Sequence, residues 1–266
     1  MRVYIAVDTE GEACVVGHGA GGAETGPWQF EFVRRQATAE AAAAVEGARR
    51  GGATDVLVHD VGFLRDHAPA GLNLHYDQLP RGVRIALGVA PMKQVVALGF
   101  DAALLIGHHA RYGVDDGVMA HSYSMASLRH LTLNGRPVGE IGIESLQIGA
   151  LGVPVVMVSA DEAGCREAKQ WLGDVEVAPT KQGLTYHGAV SLHPDDACDL
   201  IRTRAARAVE RAANGEFKPF AIDPPYELRI ETRTIAAADH RMQRHNAERA
   251  GPRTVVKHTD DPLELW

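Results

Sequence analysis

Apolar residues in this chain come in short unbroken runs, set between longer stretches rich in alanine and charge. The first run is Val3-Tyr4-Ile5-Ala6-Val7, similar runs recur at 102–106 and 153–158, 55–60 is apolar in its middle, and 83–87 reads as a further strand. Runs that are apolar without alternation are how parallel strands read when both sheet faces are covered. Residues 29–50, rich in Ala, Glu and Arg, predict a helix ended by Gly51-Gly52. Shorter helices are expected at 91–98, 143–151 and 162–172, and a longer one at 195–213 with Pro194 placed to begin it. Leu131-Thr132-Leu133 and Arg136-Pro137-Val138 flank Asn134-Gly135, a preferred type I′ hairpin turn. Strands alternating with helices predict an α/β fold with a mainly parallel sheet flanked by helices.

Asp223-Pro224-Pro225 interrupts this pattern. Beyond it, 227–234 alternates as a strand does, 236–250 reads as a charged helix and 254–258 as a last strand. The expected organisation is therefore an α/β core over residues 1–222, with a small α+β segment over 223–266 packing on it. The longest coil stretches follow the strands ending near Asp8, Asp60 and Gly107. Open α/β sheets bind ligands at the carboxyl ends of their strands, so these loops are where a site is expected.

Composition narrows the class. At 266 residues, with 45% hydrophobic and 23% charged residues, the chain has the balance of an ordinary globular protein. Its net charge of −7 argues against nucleic acid or an anionic membrane as the main partner. Cys14, Cys165 and Cys198 are widely spaced and form no C-x-x-C pair, so free thiols in a reducing cytoplasm are expected. The sequence shows no secretory signal pattern, and no apolar run approaches the roughly 20 residues that span a bilayer. A cytoplasmic protein is the expectation.

The candidate chemistry begins where the first strand ends. Asp8-Thr9-Glu10 carries two carboxylates, and residues two apart on an extended strand point the same way. Two oxygens on one edge suit a divalent cation. His109 follows the run at 102–106, His121 lies in the next loop, and Glu140 sits between Gly139 and Ile141-Gly142. His108 and His109 are adjacent, so only one of them is expected to face a shared ion. The pattern Gly17-x-Gly19-x-x-Gly22 matches a dinucleotide fingerprint in letters only. The strand lies too far upstream and Pro27 separates the glycines from the helix, so an active-site loop is the better reading.

Together, Val7-Asp8-x-Glu10-Gly11, Gly107-x-His109-Ala110-Arg111, Gly117-Val118-Met119-x-His121-Ser122 and Arg136-Pro137-Val138-Gly139-Glu140 resemble the DppA-type D-aminopeptidases, a family of binuclear zinc peptidases. Val153-Pro154-Val155-x-Met157-Val158 and Lys181-Gln182 look like further family segments. The resemblance implies Asp8, Glu10, His109 and Glu140 as zinc ligands, and His121 as the catalytic histidine, acting as nucleophile or base. It implies two zinc ions per subunit, removal of N-terminal residues from short peptides containing D-amino acids, and ring-like homo-oligomers. Arg111 is a candidate for stabilising an oxyanion or binding the substrate carboxylate, with loop bracing as its structural alternative.

One position departs from the family. Its members carry a further histidine ligand two residues past the aspartate that ends the second strand, whereas here Asp60-Val61 is followed by Gly62. His67 and His18 are alternative donors, while His59 is an odd number of positions away and should face elsewhere. Otherwise one metal position is weakened or lost. The alternative function is then a related amide hydrolase with a depleted site, or a non-catalytic protein binding a metal or small molecule.

Overall fold

The computed structural model describes residues 1–16, 27–61, 73–88 and 90–266. The glycine pattern at 17–22, His18, Gly62 and His67 lie outside the described residues. The main sheet has seven strands, β1 (Arg2–Val7), β2 (Asp55–Asp60), β3 (Arg84–Ala86), β4 (Ala102–His108), β7 (Val155–Asp161), β8 (Glu176–Thr185) and β9 (Gly188–Ser191), in the order β3-β2-β1-β4-β7-β8-β9. All neighbours pair in parallel except β8 and β9, which form an antiparallel ribbon. The mainly parallel sheet expected from the sequence is present. The β8–β9 ribbon was not among the expected strands.

Strand alternation sorts β1 cleanly between two cores. Val3, Ile5 and Val7 face α1 (Pro27–Arg50) and α5 (Pro194–Ala213), whereas Tyr4 and Ala6 face α2 (Met92–Val96), α3 (Glu140–Ala150) and α4 (Glu162–Leu172). Alanines at 37, 41, 44 and 48 bring α1 close to the sheet, and Gly47 lets it meet α5 backbone to backbone. A Cβ there would lie 2.3 Å from the Arg202 carbonyl oxygen. This is a three-layer α/β sandwich.

A second sheet takes the order β11-β12-β10-β5-β6, built from β5 (Leu128–Leu133), β6 (Arg136–Pro137), β10 (Tyr226–Thr232), β11 (Glu248–Gly251) and β12 (Thr254–Thr259). The hairpin around Asn134-Gly135 thus joins strands from beyond Asp223, with Leu133 opposite Leu228 and Leu131 opposite Ile230. The helix expected over 236–250 is instead α6 (Ile235–His245), followed by β11. Asn246, at φ 50°, closes it in the left-handed conformation that caps helices. Helix α3 is buried on nearly every side. Ile141 and Ile148 pack toward the main sheet, and Ile143 and Leu146 toward the second. A helix covered by two cores has little freedom, and Glu140 is its first residue.

Candidate metal centre

In the main sheet the chain runs outward from β1 through β2 to β3, then returns to the other side of β1 as β4. The connections therefore diverge between β1 and β4, and the crevice beyond their carboxyl ends is the expected ligand site of such a sheet. Asp8 and Glu10 leave β1 there, and His109 leaves β4. The two tips are tied together, with Asp8 N donating to Ile106 O at 2.8 Å and Gly11 N to Gly107 O at 2.8 Å. Gly107 has φ +69°, and a Cβ on it would lie 2.3 Å from the Asp8 carbonyl oxygen, so the close approach requires glycine.

Strand alternation is not what pairs Asp8 with Glu10. β1 ends at Val7, and the two carboxylates converge through a turn. Thr9 organises that turn, its N–H donating to Asp8 Oδ1 at 3.0 Å and its hydroxyl to Glu10 Oε2 at 3.2 Å. Alternation does separate the histidines at the end of β4. His108 Nε2 lies 2.9 Å from Glu144 Oε2, while His109 Nε2 lies 3.2 Å from Glu140 Oε1 and 3.6 Å from Asp8 Oδ2. His121 arrives from the loop before β5, its ring stacked on that of His109 with centroids 4.0 Å apart and an interplanar angle of 9°. Met119 and Tyr123, on either side of His121, both have positive φ (50° and 56°), a conformation non-glycine residues hold at a cost.

Donor atoms of Asp8, Glu10 and His109 lie within 4.8 Å of one another, and so do those of His109, His121 and Glu140. The two groups share His109. Its Nδ1 lies 3.0 Å from the Ala110 carbonyl oxygen, and His121 Nδ1 lies 2.8 Å from that of Met119. A carbonyl only accepts, so each Nδ1 carries a proton and each Nε2 is the nitrogen turned toward the cluster. His109 Nε2 is buried without a well-formed hydrogen bond, which suits an atom meant for a metal ion.

The electrostatics fit the same use. Burial pushes the Asp8 carboxyl well up, and the Glu10 charge adds to it. At Glu140 burial also pushes up, but His109, His121 and the Tyr123 N–H (2.6 Å from Oε1) outweigh it and hold the carboxyl at about 2. Burial pushes the His109 imidazole down, yet the charges of Glu140 and Asp8 prevail and raise it well above its ordinary value. His121 is pushed down by burial and by His109. Without a metal, the His109 proton thus neutralises carboxylates that a cation would neutralise, and ion binding must displace it.

Arg111 sits just beyond His109. Its N–H donates to Glu167 Oε2 at 2.8 Å and its Nη1 to the Tyr112 carbonyl oxygen at 3.1 Å. His59 points away from the cluster, its Nδ1 2.8 Å from the Tyr4 hydroxyl. Sequence reasoning missed Thr9, and it missed Tyr123, whose backbone N–H holds Glu140. Only their position beside the ligand candidates could have signalled them.

The family profile described as D-aminopeptidase matches residues 1–266. A D-aminopeptidase of Bacillus subtilis (strain 168) is 30% identical over 270 residues, covering 100% of this chain and 94% of the relative. A solved structure described as the Zn-dependent D-aminopeptidase DppA from Bacillus subtilis, a self-compartmentalizing protease, superposes with a TM-score of 0.85 at 27% identity. That match covers 100% of this chain and 94% of the other. With a profile spanning its whole length and a relative of this similarity, the chain belongs to the D-aminopeptidase family.

Proposed function

We propose that this protein is a zinc-dependent aminopeptidase that hydrolyses the N-terminal residue of short peptides, with D-amino acids at the cleaved position. The observation that carries this reading is the pair of overlapping donor groups, Asp8–Glu10–His109 and His109–His121–Glu140, buried at the β1/β4 crevice. Asp8, Glu10, His109 and Glu140 would hold zinc, two ions per subunit. Bound zinc supplies a Lewis acid that polarises the scissile carbonyl. His121 keeps its Nδ1 proton on the Met119 carbonyl and its Nε2 free to attack or to take a proton. Burial favours the neutral form that either role requires. A free substrate amino terminus pairs with the acidic cluster, which favours exopeptidase action. Arg111, braced through Tyr112, is the proposed contact for the oxyanion or the substrate carboxylate.

The reading extends to a homo-oligomer in the manner of the self-compartmentalizing relative. Leu184, Val190 and Leu192, exposed on and just beyond the β8–β9 ribbon at the edge of the main sheet, support it. A cytoplasmic location is also part of the proposal. Among the described residues, no helix is long and apolar enough to cross a membrane.

D-alanyl peptides incubated with the zinc-loaded protein and with His121→Ala test the assignment. Turnover should fall by about 10²–10⁴-fold in the variant, as for loss of a general base. Equal turnover would remove His121 from the chemistry.

A further inference from the structure

Lys181 is a buried lysine, 3% exposed, on β8. Its ammonium donates to the carbonyl oxygens of Glu10, Glu12 and Val15, each at 2.6 Å. Three carbonyls consume all three ammonium protons, so the site is filled in full and only the charged form fills it. The neighbouring Thr180 hydroxyl donates to the Gly11 carbonyl oxygen at 2.5 Å. Two adjacent residues of one strand thus hold four carbonyls of the stretch from Glu10 to Val15.

That stretch has no strand or helix of its own to fix it. On its other side it lies against β4, where Gly11 has no room for a side chain. A Cβ there would be 1.7 Å from the His108 carbonyl oxygen. The turn is gripped between the tip of β4 and the Thr180-Lys181 pair. Lys181 also lies in the field of the Asp161, Glu40, Glu12 and Glu10 carboxylates. Neither oxygen of the fully buried Glu12 carboxyl has a hydrogen-bond partner among the described residues. An uncharged side chain in place of Lys181 would strand three buried carbonyls and leave these acidic groups without the cation.

We propose that Lys181 is a positioning residue for the metal centre, fixing through Glu10, Glu12 and Val15 the turn that presents the Asp8 and Glu10 carboxylates to the ion. It touches neither metal nor substrate. One of its three bonds is to the backbone of Glu10 itself, so loosening it moves a ligand residue directly. The inference rests on the metal-centre reading above.

The test uses the intact chain, stripped with a chelator and titrated with zinc against a chromophoric competitor, and then with cobalt(II) to read ligand geometry from its visible absorption. Lys181→Met is expected to raise the zinc Kd by about 10–100-fold, the range for losing a partner behind a ligand, and to change the cobalt band. Thr180→Val, which removes one bond to the same turn, should do both to a lesser degree, and it carries the test if Lys181→Met does not fold. Arg211→Met serves as a purely structural control. Arg211 Nη1 bonds Glu176 Oε1 at 2.7 Å and ties α5 to the start of β8, so this variant should lower the melting temperature with Kd and band unchanged. Wild-type Kd and band in a folded Lys181→Met, or in Thr180→Val if that variant carries the test, would overturn the proposal. So would changes in Arg211→Met as large as those in Lys181→Met. Wild-type protein that takes up no ion would instead overturn the site reading on which the proposal rests.

Discussion

Two sets of buried carboxylates lie around the same loops and differ in how many of their oxygens are spent on backbone. Asp161 and Glu167 spend both oxygens on backbone N–H groups. Asp161 accepts from Gly164 at 2.8 Å and Val118 at 2.7 Å, and Glu167 from Arg111 at 2.8 Å and Gly139 at 3.0 Å. The bond from Gly164 caps α4, and the other three fasten the start and body of that helix to the segments that carry His121, His109 and Glu140. Among the described residues, Asp8 and Glu140 each accept a single backbone N–H, from Thr9 and Tyr123. With Glu10 they otherwise face imidazoles and one another, around an imidazole nitrogen with no good partner. Carboxylates that spend both oxygens on backbone build a frame, whereas carboxylates that keep an oxygen for each other and for imidazoles wait for a cation. The histidines divide in the same way. His59 is buried against Tyr4 and pushed down to about 4 by burial, while His109, buried as deeply, is raised by the carboxylates around it.

The contrast breaks most visibly at Asp8. Asp8→Asn should lower turnover of D-alanyl peptides by about 1,000-fold, since a charge holding the Lewis acid is lost. The metal-free variant should melt at the same temperature as the parent or higher, because burial and Glu10 already disfavour the Asp8 carboxylate. A calorimetric scan of both stripped proteins checks this, and a large loss of stability would place Asp8 among the frame residues.

The histidine contrast gives a pH test. The folded value of His59 lies near 4, below the ordinary 6.5, so its contribution to stability is intact above pH 6.5 and is lost as the pH falls toward 4. The full swing is about 3 kcal/mol. Denaturant unfolding of the parent and of His59→Gln from pH 7 to 4.5 should show the difference between them shifting against the parent as pH falls. A pH-independent difference would mean that His59 is not held neutral.

Glu167→Gln sharpens the comparison with the smallest effect. A glutamine keeps one acceptor but turns an NH2 group toward a backbone N–H, at a cost of about 2 kcal/mol. Unfolding should register that loss while zinc content per chain stays at the parental level. Loss of zinc without loss of stability would put Glu167 with the ligands.

Much of this arrangement was legible in the sequence because it follows from strand ends. The apolar runs located β1, β2, β4 and β7, and adjacency at the end of β4 separated His108 from His109. What was not legible depends on contacts distant in sequence. The second sheet needs residues 128–133 to pair with 226–232, and nothing local encodes that choice. The segment 176–191 hid β8 and β9 because Pro179, Lys181 and Gly183 interrupt any apolar run. A buried lysine reads as a surface residue until its three carbonyl partners are seen. The helix overrun at 246–250 had a signal in Asn246, a residue that tolerates the left-handed cap.

The convergence of Asp8, Glu10, His109 and Glu140 on an ion is tested most directly by an anomalous difference map at the zinc edge, from crystals grown with zinc. Peaks are expected about 2.0–2.2 Å from carboxylate oxygens of Asp8 and Glu140 and from His109 Nε2, with a second peak on the Asp8–Glu10 side. A map with zinc bound only elsewhere, or with no peak among these side chains, would contradict it.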